Sequence, residues 1–218
     1  MTKLEAVNLI LRKCGSFDVP ALDTGGSSTA ARVENVLDAE ELKIQMESGW
    51  HYNTRENIAL TPDGVTNKIS VPTGCLQITA NAVKYSRFQS SGPDGVSAGH
   101  NITQIGTYVY DLANNTFEFT DSIVLFRVRL RVSFECIPPV IREYIAEAAA
   151  TRYCEQYMDD PRKCRYLREQ EMAAQTRARR FNNEAADVNI LDTPSARRMR
   201  GVSSGWGVGV SGMPGWGG

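Results

Sequence analysis

Residues that could do chemistry by type and spacing are few. Asp159 and Asp160 stand side by side ahead of Pro161, a pair of carboxylates of the kind that can share a proton or hold a metal. Asp160, however, precedes a proline as an N-cap precedes the first helical residue, and both charges favour the positive end of a helix. Capping is the expected role, since no third ligand lies close enough to complete a metal site. His51 lies in a Trp-His-Tyr turn and His100 in a Gly- and Ser-rich stretch, neither framed by a Ser or Cys nucleophile. Aromatic packing is expected of the first and solvent exposure of the second. The run GVGVSG (Gly207, Gly209, Gly212) carries the letters of a dinucleotide fingerprint, but no strand precedes it, and Pro214 with further glycines follows where a helix would have to start. No catalytic, cofactor-binding or metal-ligating set is therefore expected, and no enzyme.

Two further sets have composition without an obvious reaction. In VLFRVRLRVSF, Arg127, Arg129 and Arg131 share one face because strand side chains alternate, while Val128, Leu130 and Val132 share the other. Such a ladder either pairs with acids on an adjacent strand or faces a partner or DNA. The five cysteines, Cys14, Cys75, Cys136, Cys154 and Cys164, are odd in number and form no C-x-x-C pair. Buried free thiols are expected of them, in place of a disulfide framework or a zinc site.

The elements that must position these residues follow from periodicity. Leu4, Val7, Leu11 and Cys14 make a helical stripe stopped by Gly15. A second helix is expected from a cap at Ser27 or Ser28 to about Ser48, with two apolar faces: Ala30, Val33, Leu37 and Ile44 on one, and Ala39, Leu42 and Met46 on the other. The first face suffices for a core, and the second either packs inside the same bundle or meets a neighbouring subunit. Between Trp50 and Glu135 the pattern turns to short β-branched runs, ENIALT, KISV, LQITANAVKY, TYVYDL, TFEF and SIVLFRVRLRVSF, punctuated by turn signals. SSGPDGVSAGH reads as a projecting hairpin tip. Pro138 and Pro139 end that region and open an Ala-rich helix presenting Ile141, Ile145, Ala148 and Arg152 along one side. A last helix runs to about Asn183 with a seam of Leu167, Ala174 and Phe181.

The fold class expected is α+β: a four-helix bundle with an inserted β-rich domain and an extended C-terminal arm. Its parts are 1–54 with 136–183 for the bundle, 55–135 for the insertion and 184–218 for the arm. The arm is rich in Gly and Ser, with Arg197, Arg198 and Arg200 ahead of isolated Trp206 and Trp216, and it has too few apolar residues to fold alone. Lys plus Arg number 24 against 25 Asp plus Glu, so the chain lacks the basic excess of a dedicated nucleic-acid binder and any DNA contact must be local. The first apolar run is interrupted by Asn8, Arg12 and Lys13, too short for a signal peptide or a membrane span, which suggests a soluble protein made in the cytosol.

The order of these pieces resembles one family, the tail tubular protein A, or head-to-tail adaptor, of short-tailed phages (podoviruses). The resemblance covers residues 3–183 and rests on LEAVNLILRKCG, ESGWHYNTRENIALTPDG, ISVPTGCLQI, GTYVYDLANNTF and FECIPPVIREYIAEAAATRYCEQYM. The arm after about residue 190 departs from the family pattern. The resemblance implies a structural, non-enzymatic virion subunit at the head-to-tail junction, synthesised in the host bacterial cytoplasm. Such a subunit would form a dodecameric ring below the portal protein, join it to the tail nozzle protein (tail tubular protein B), help hold the tail fibre and surround a channel for viral DNA, with no membrane involved. On that reading Ala39, Leu42 and Met46 are subunit-interface candidates, and Arg127, Arg129 and Arg131 are partner- or channel-facing. Arg197, Arg198, Arg200, Trp206 and Trp216 are then portal-docking candidates. A DNA-binding module using the Arg strand and the C-terminal Arg cluster is the competing expectation, and a small hydrolase dependent on His51 a third.

Overall fold

The computed structural model describes residues 1–22, 28–47, 49–80, 102–119 and 124–185. Met1–Asn182 form one compact unit, and of the second, Asn183–Gly218, only the end of the last helix is described. The SSGPDGVSAGH tip and the arm candidates Arg197, Arg198, Arg200, Trp206 and Trp216 lie outside the described residues.

Helix α1 (Lys3–Cys14) begins with a capping box in which the Thr2 hydroxyl accepts from Glu5 N–H while the Glu5 carboxylate accepts from Thr2 N–H. It ends at Gly15, whose φ of 80° is the left-handed conformation that glycine adopts without a Cβ penalty. Ala6, Val7, Ile10, Leu11 and Cys14 face inward. Helix α2 (Ser28–Met46) buries Val33, Leu37 and Ile44. Helix α3 (Pro139–Tyr157) starts with Pro139 in its first turn, where a missing N–H leaves no bond unmade. Its alanines Ala146, Ala148, Ala149 and Ala150 are all buried, which lets neighbouring backbones approach. Helix α4 (Pro161–Ala185) begins at Asp160, whose carboxylate accepts from Lys163 N–H at 3.1 Å: the capping expected of this aspartate.

Among the described residues, α1 to α4 all contribute to a single apolar core. The seam of α4 departs from sevenfold spacing: Leu167 and Ala174 are buried, but Ala178 and Asn182 then face inward and Phe181 is half-buried. A straight helix at 3.6 residues per turn drifts off a strict heptad, and this one follows the drift.

The strands β1 (Thr54–Leu60), β2 (Cys75–Ala80), β3 (Ile102–Ile105), β4 (Tyr108–Asp111) and β5 (Val124–Leu130) form two antiparallel sheets. The first has the order β1-β5-β2, so the Arg-bearing strand is central, and the second is the β3–β4 hairpin turning at Gly106 and Thr107. KISV and TFEF contribute isolated bridges at Lys68, Ser70, Thr116 and Glu118, not full strands, while ITQI forms a strand that sequence periodicity did not mark. The sheets share a second apolar core, including Ile69, Ile78, Val109, Phe119, Phe126 and Val128. The chain is α+β.

Two expectations are corrected here. Cys154 and Cys164 are joined in a disulfide, their Cα atoms 5.6 Å apart, because the short turn between α3 and α4 folds the last turn of one helix onto the first of the next. Cys136 is a free thiol but exposed; Cys14 is buried and Cys75 partly so, and burial pushes both of those thiols above their ordinary pKa. Closing a loop with a sequence separation of 10 should contribute about 2–3 kcal/mol. Urea unfolding with and without a reductant should therefore show a lower midpoint in the reduced protein, and identical midpoints would mean the two thiols are not joined.

Candidate functional site

The feature that organises the molecule is the junction where α2 ends and the sheet begins. The last carbonyls of a helix have no partner within it. Here three successive ones are each met by a side chain from elsewhere. Trp50 Nε1 donates to Ile44 O at 2.7 Å, Asn53 Nδ2 to Gln45 O at 2.9 Å, and Arg129 Nη1 to Met46 O at 2.6 Å. A cation at that end also suits the negative pole of the helix. The fully buried Gln45 side chain makes a two-way clasp with Val132, accepting from its N–H and donating to its C=O, each at 2.8 Å. Asn182 on α4 closes the same corner, accepting from His51 N–H at 2.7 Å and donating to Gly49 O. Trp50 is 2% exposed and lies against Tyr52 and Tyr144, both with ring centroids 6.4 Å away. The Gly-Trp-x-aromatic-Asn turn at 49–53 is thus a joint.

The same joint fixes the Arg strand. The ladder on β5 ends at Leu130, short of the expected Phe134, because the main-chain groups of Val132 are taken by Gln45 instead of a neighbouring strand. Phe134–Cys136 turn as a short 3-10 helix. Arg127 is on the exposed side and pairs with Glu56 of β1 at 2.7 Å, the pairing with an adjacent strand that alternation allows. Arg129 is half-buried and committed to Met46 O and to Gln77 Oε1 at 2.8 Å; burial, and then the charge of Arg127, pull its guanidinium below its ordinary pKa. Arg131 lies past the strand end with its side chain exposed.

On α2 the second face emerges outward: Ala39 is exposed, Leu42 half-buried and Met46 52% exposed. Between the two faces sit acids that sequence patterning did not mark as buried. Glu40 is 2% exposed, held by Arg152 at 2.9 Å and Lys43 at 2.8 Å, at the edge of a polar cleft that Thr151 and Glu171 also line. Glu41 is buried too, accepting from Gln45 Nε2 at 3.0 Å, and its carboxyl is pushed upward by that burial and by the charge of Asp38. The Tyr52 hydroxyl is buried without a hydrogen-bond partner among the described residues, and burial together with Glu41 pushes its pKa up. A carboxyl whose pKa is raised by folding destabilises the native state when ionised, so its contribution improves as pH falls through its folded value. Glu41→Gln should therefore raise stability at pH 7 and lose that advantage near pH 4, as read by thermal melts at both. A variant less stable than the parent at pH 7 would show that the charge is needed.

His51 is exposed and contributes to the joint through its main chain, the N–H to Asn182 and the carbonyl to Thr54 N–H, while His100 lies outside the described residues, as does GVGVSG. Asn114 is committed to a turn, donating to Asp111 Oδ2 at 2.8 Å. Among the described residues no group of His, Cys, Asp and Glu is arranged to hold a metal, and no helix is long and apolar enough to cross a membrane.

The joint braces the helices against the sheet, and α2 leaves an apolar face outward. The family model of tail tubular proteins matches residues 4–188, and the chain belongs to that family. It is a structural protein of the bacteriophage virion, located in the tail. No curated protein matches it.

Proposed function

We propose that the chain is the adaptor subunit that joins the portal to the tail nozzle of a podovirus. In this reading it forms a dodecameric ring around the exiting DNA and helps anchor the tail fibre. The helical parts at 1–54 and 136–183 make the ring wall and 55–135 is the inserted β-rich domain. The observation that carries the reading is the outward apolar face of α2 on a rigid subunit of this family: Ala39 and Met46 are exposed beside half-buried Leu42. A ring closes by head-to-tail contacts, so one such patch seats on a different surface of the next copy. The arm, with Arg197, Arg198, Arg200, Trp206 and Trp216, supplies aromatic anchors and charge for the portal or a neighbouring copy. DNA passes without sequence-specific binding, which suits a strand where Arg127 and Arg129 are already engaged.

The test is the mass and negative-stain appearance of the purified chain, alone and mixed with portal, beside the double variant Leu42→Glu, Met46→Glu. Wild type should give rings that bind portal. The variant should keep its melting temperature and lose ring formation at least tenfold, since burying each apolar side chain is worth about 1.5–3 kcal/mol. Wild-type rings undiminished in the variant would remove α2 from the interface, and a monomer that ignores portal would sink the adaptor reading.

A further inference from the structure

The end of the helical part remote from the joint breaks an electrostatic rule. The first turns of α4 read PRKCRYL, with no acid in the first turn and cations at Arg162, Lys163 and Arg165 against the positive pole of the helix, where they lower its stability. Asp160 is used as the cap. Arg162 and Arg165 are exposed and form no ion pair among the described residues, in contrast to Arg168, Arg177 and Arg179 further along, which pair with Glu155, Glu143 and Glu47. Asp159 and Asp160 offset part of that charge but pair with neither arginine, and a local rule broken with only partial compensation marks a place where the sequence serves something outside the fold.

Other elements bring large apolar groups to the same end. α1 stops there, and Phe17 in the loop that follows is 94% exposed. That α1 and α4 meet at this end is shown by Lys163, whose ammonium lies beside Gly15. α3 finishes there with Tyr157 half exposed, and the Arg32 guanidinium from the start of α2 lies 5.7 Å from its ring centroid. Tyr166 on α4 is 59% exposed. The Cys154–Cys164 disulfide ties the last turn of α3 to the first of α4 and holds these groups in fixed relation.

We propose that this end, carrying Phe17, Arg32, Tyr157, Arg162, Arg165 and Tyr166, is a docking face for an acidic protein surface with apolar pockets on a different structural component of the virion. Exposed aromatics beside arginine are the side chains that dominate protein interfaces, and the unpaired cations set the sign of the partner. A nucleic acid fits less well, because its closely spaced phosphates would also meet the exposed carboxylate of Asp159 and the capping one of Asp160, whereas a protein surface can set single acids opposite Arg162 and Arg165 and apolar groups opposite the rings. The face rests on the tail-assembly reading but is separate from the α2 patch.

The experiment uses the full chain in assembled particles. Arg162→Glu with Arg165→Glu places acids where the helix dipole favours them, so the variant should melt no lower than wild type, and lost assembly then reports docking, not misfolding. The expected result is unchanged self-association, incorporation into particles reduced at least tenfold, and binding of wild type to its partner that weakens with salt. In parallel, a photo-crosslinking benzoylphenylalanine in place of Tyr166 should capture an acidic stretch of another virion protein. Capture of copies of this chain alone, capture of DNA, or normal incorporation of the double variant would each overturn the proposal. The same probe in place of Met46 reports on the ring separately: if it fails to capture a second copy while Tyr166 finds its acidic partner, the ring reading falls and the docking face stands.

Discussion

Ile145→Asp should yield no soluble, folded subunit. Ile145 is 0% exposed in the middle of α3, where the Ala-rich surface lets the surrounding helices pack closely against it. Buried carboxylates do occur in the helical part, but with partners: Glu147 with Lys13, Glu40 with Arg152 and Lys43, and Glu41 with the side-chain amide of Gln45. Position 145 has none, and an unpaired carboxylate there either stays ionised at great cost or takes up a proton at a cost of several kcal/mol. Native domains have only about 5–15 kcal/mol in reserve. Ile145→Val, which removes one methylene, should lose only about 0.5–1.5 kcal/mol and remain assembled. Circular dichroism and urea titration of the pair distinguish polarity from packing. A soluble Ile145→Asp chain with native helix content would show that the residue is not in the core.

Trp50→Ala should be nearly as damaging for a different reason. The indole fills space against Tyr52 and Tyr144 and also donates to Ile44 O, so truncation leaves a cavity and leaves that carbonyl with only the longer bond from Glu47 N–H, at 3.2 Å. Large-to-small changes of aromatic core residues cost about 3–5 kcal/mol. Trp50→Phe keeps much of the ring volume and loses one hydrogen bond to a carbonyl that keeps another, for which about 0.5–1.5 kcal/mol is expected. Hydrogen exchange adds a spatial prediction: both variants should lose protection at the end of α2 and around Thr54 and Val132 before the middle of α3. Uniform loss across α3 would mean the joint has no separate role.

The parts of the fold that the sequence announced are those governed by neighbours within a few residues. Caps at Gly15, Asp160 and Pro139, the inward stripe of α1 and the alternation of β5 are all local matters; the 3.6-residue period grouped Ala39, Leu42 and Met46 on one face of α2 without saying whether it points outward. What was illegible depended on contacts between distant segments. The early end of β5 is caused by Gln45, 87 residues away, and nothing in VLFRVRLRVSF signals it. Alternation gives Arg127 and Arg129 the same face but cannot say that Glu56 waits for one and a helix carbonyl for the other. The Cys154–Cys164 pairing needs the turn between two helices to be known first, and buried Glu40, Glu41 and Gln45 look like ordinary helix-surface residues until their partners are placed.

The way α2 is joined to the sheet also has a mechanical meaning. Four hydrogen bonds cross that boundary close together: two between Gln45 and Val132, one from Asn53 to Gln45 O and one from Arg129 to Met46 O. Bonds unzipped one at a time resist little, whereas bonds strained side by side share the load and must fail together. A tug on the sheet is carried to the helices by the whole group, so the peptide links through Gly49 and Arg131 need not act as a tether.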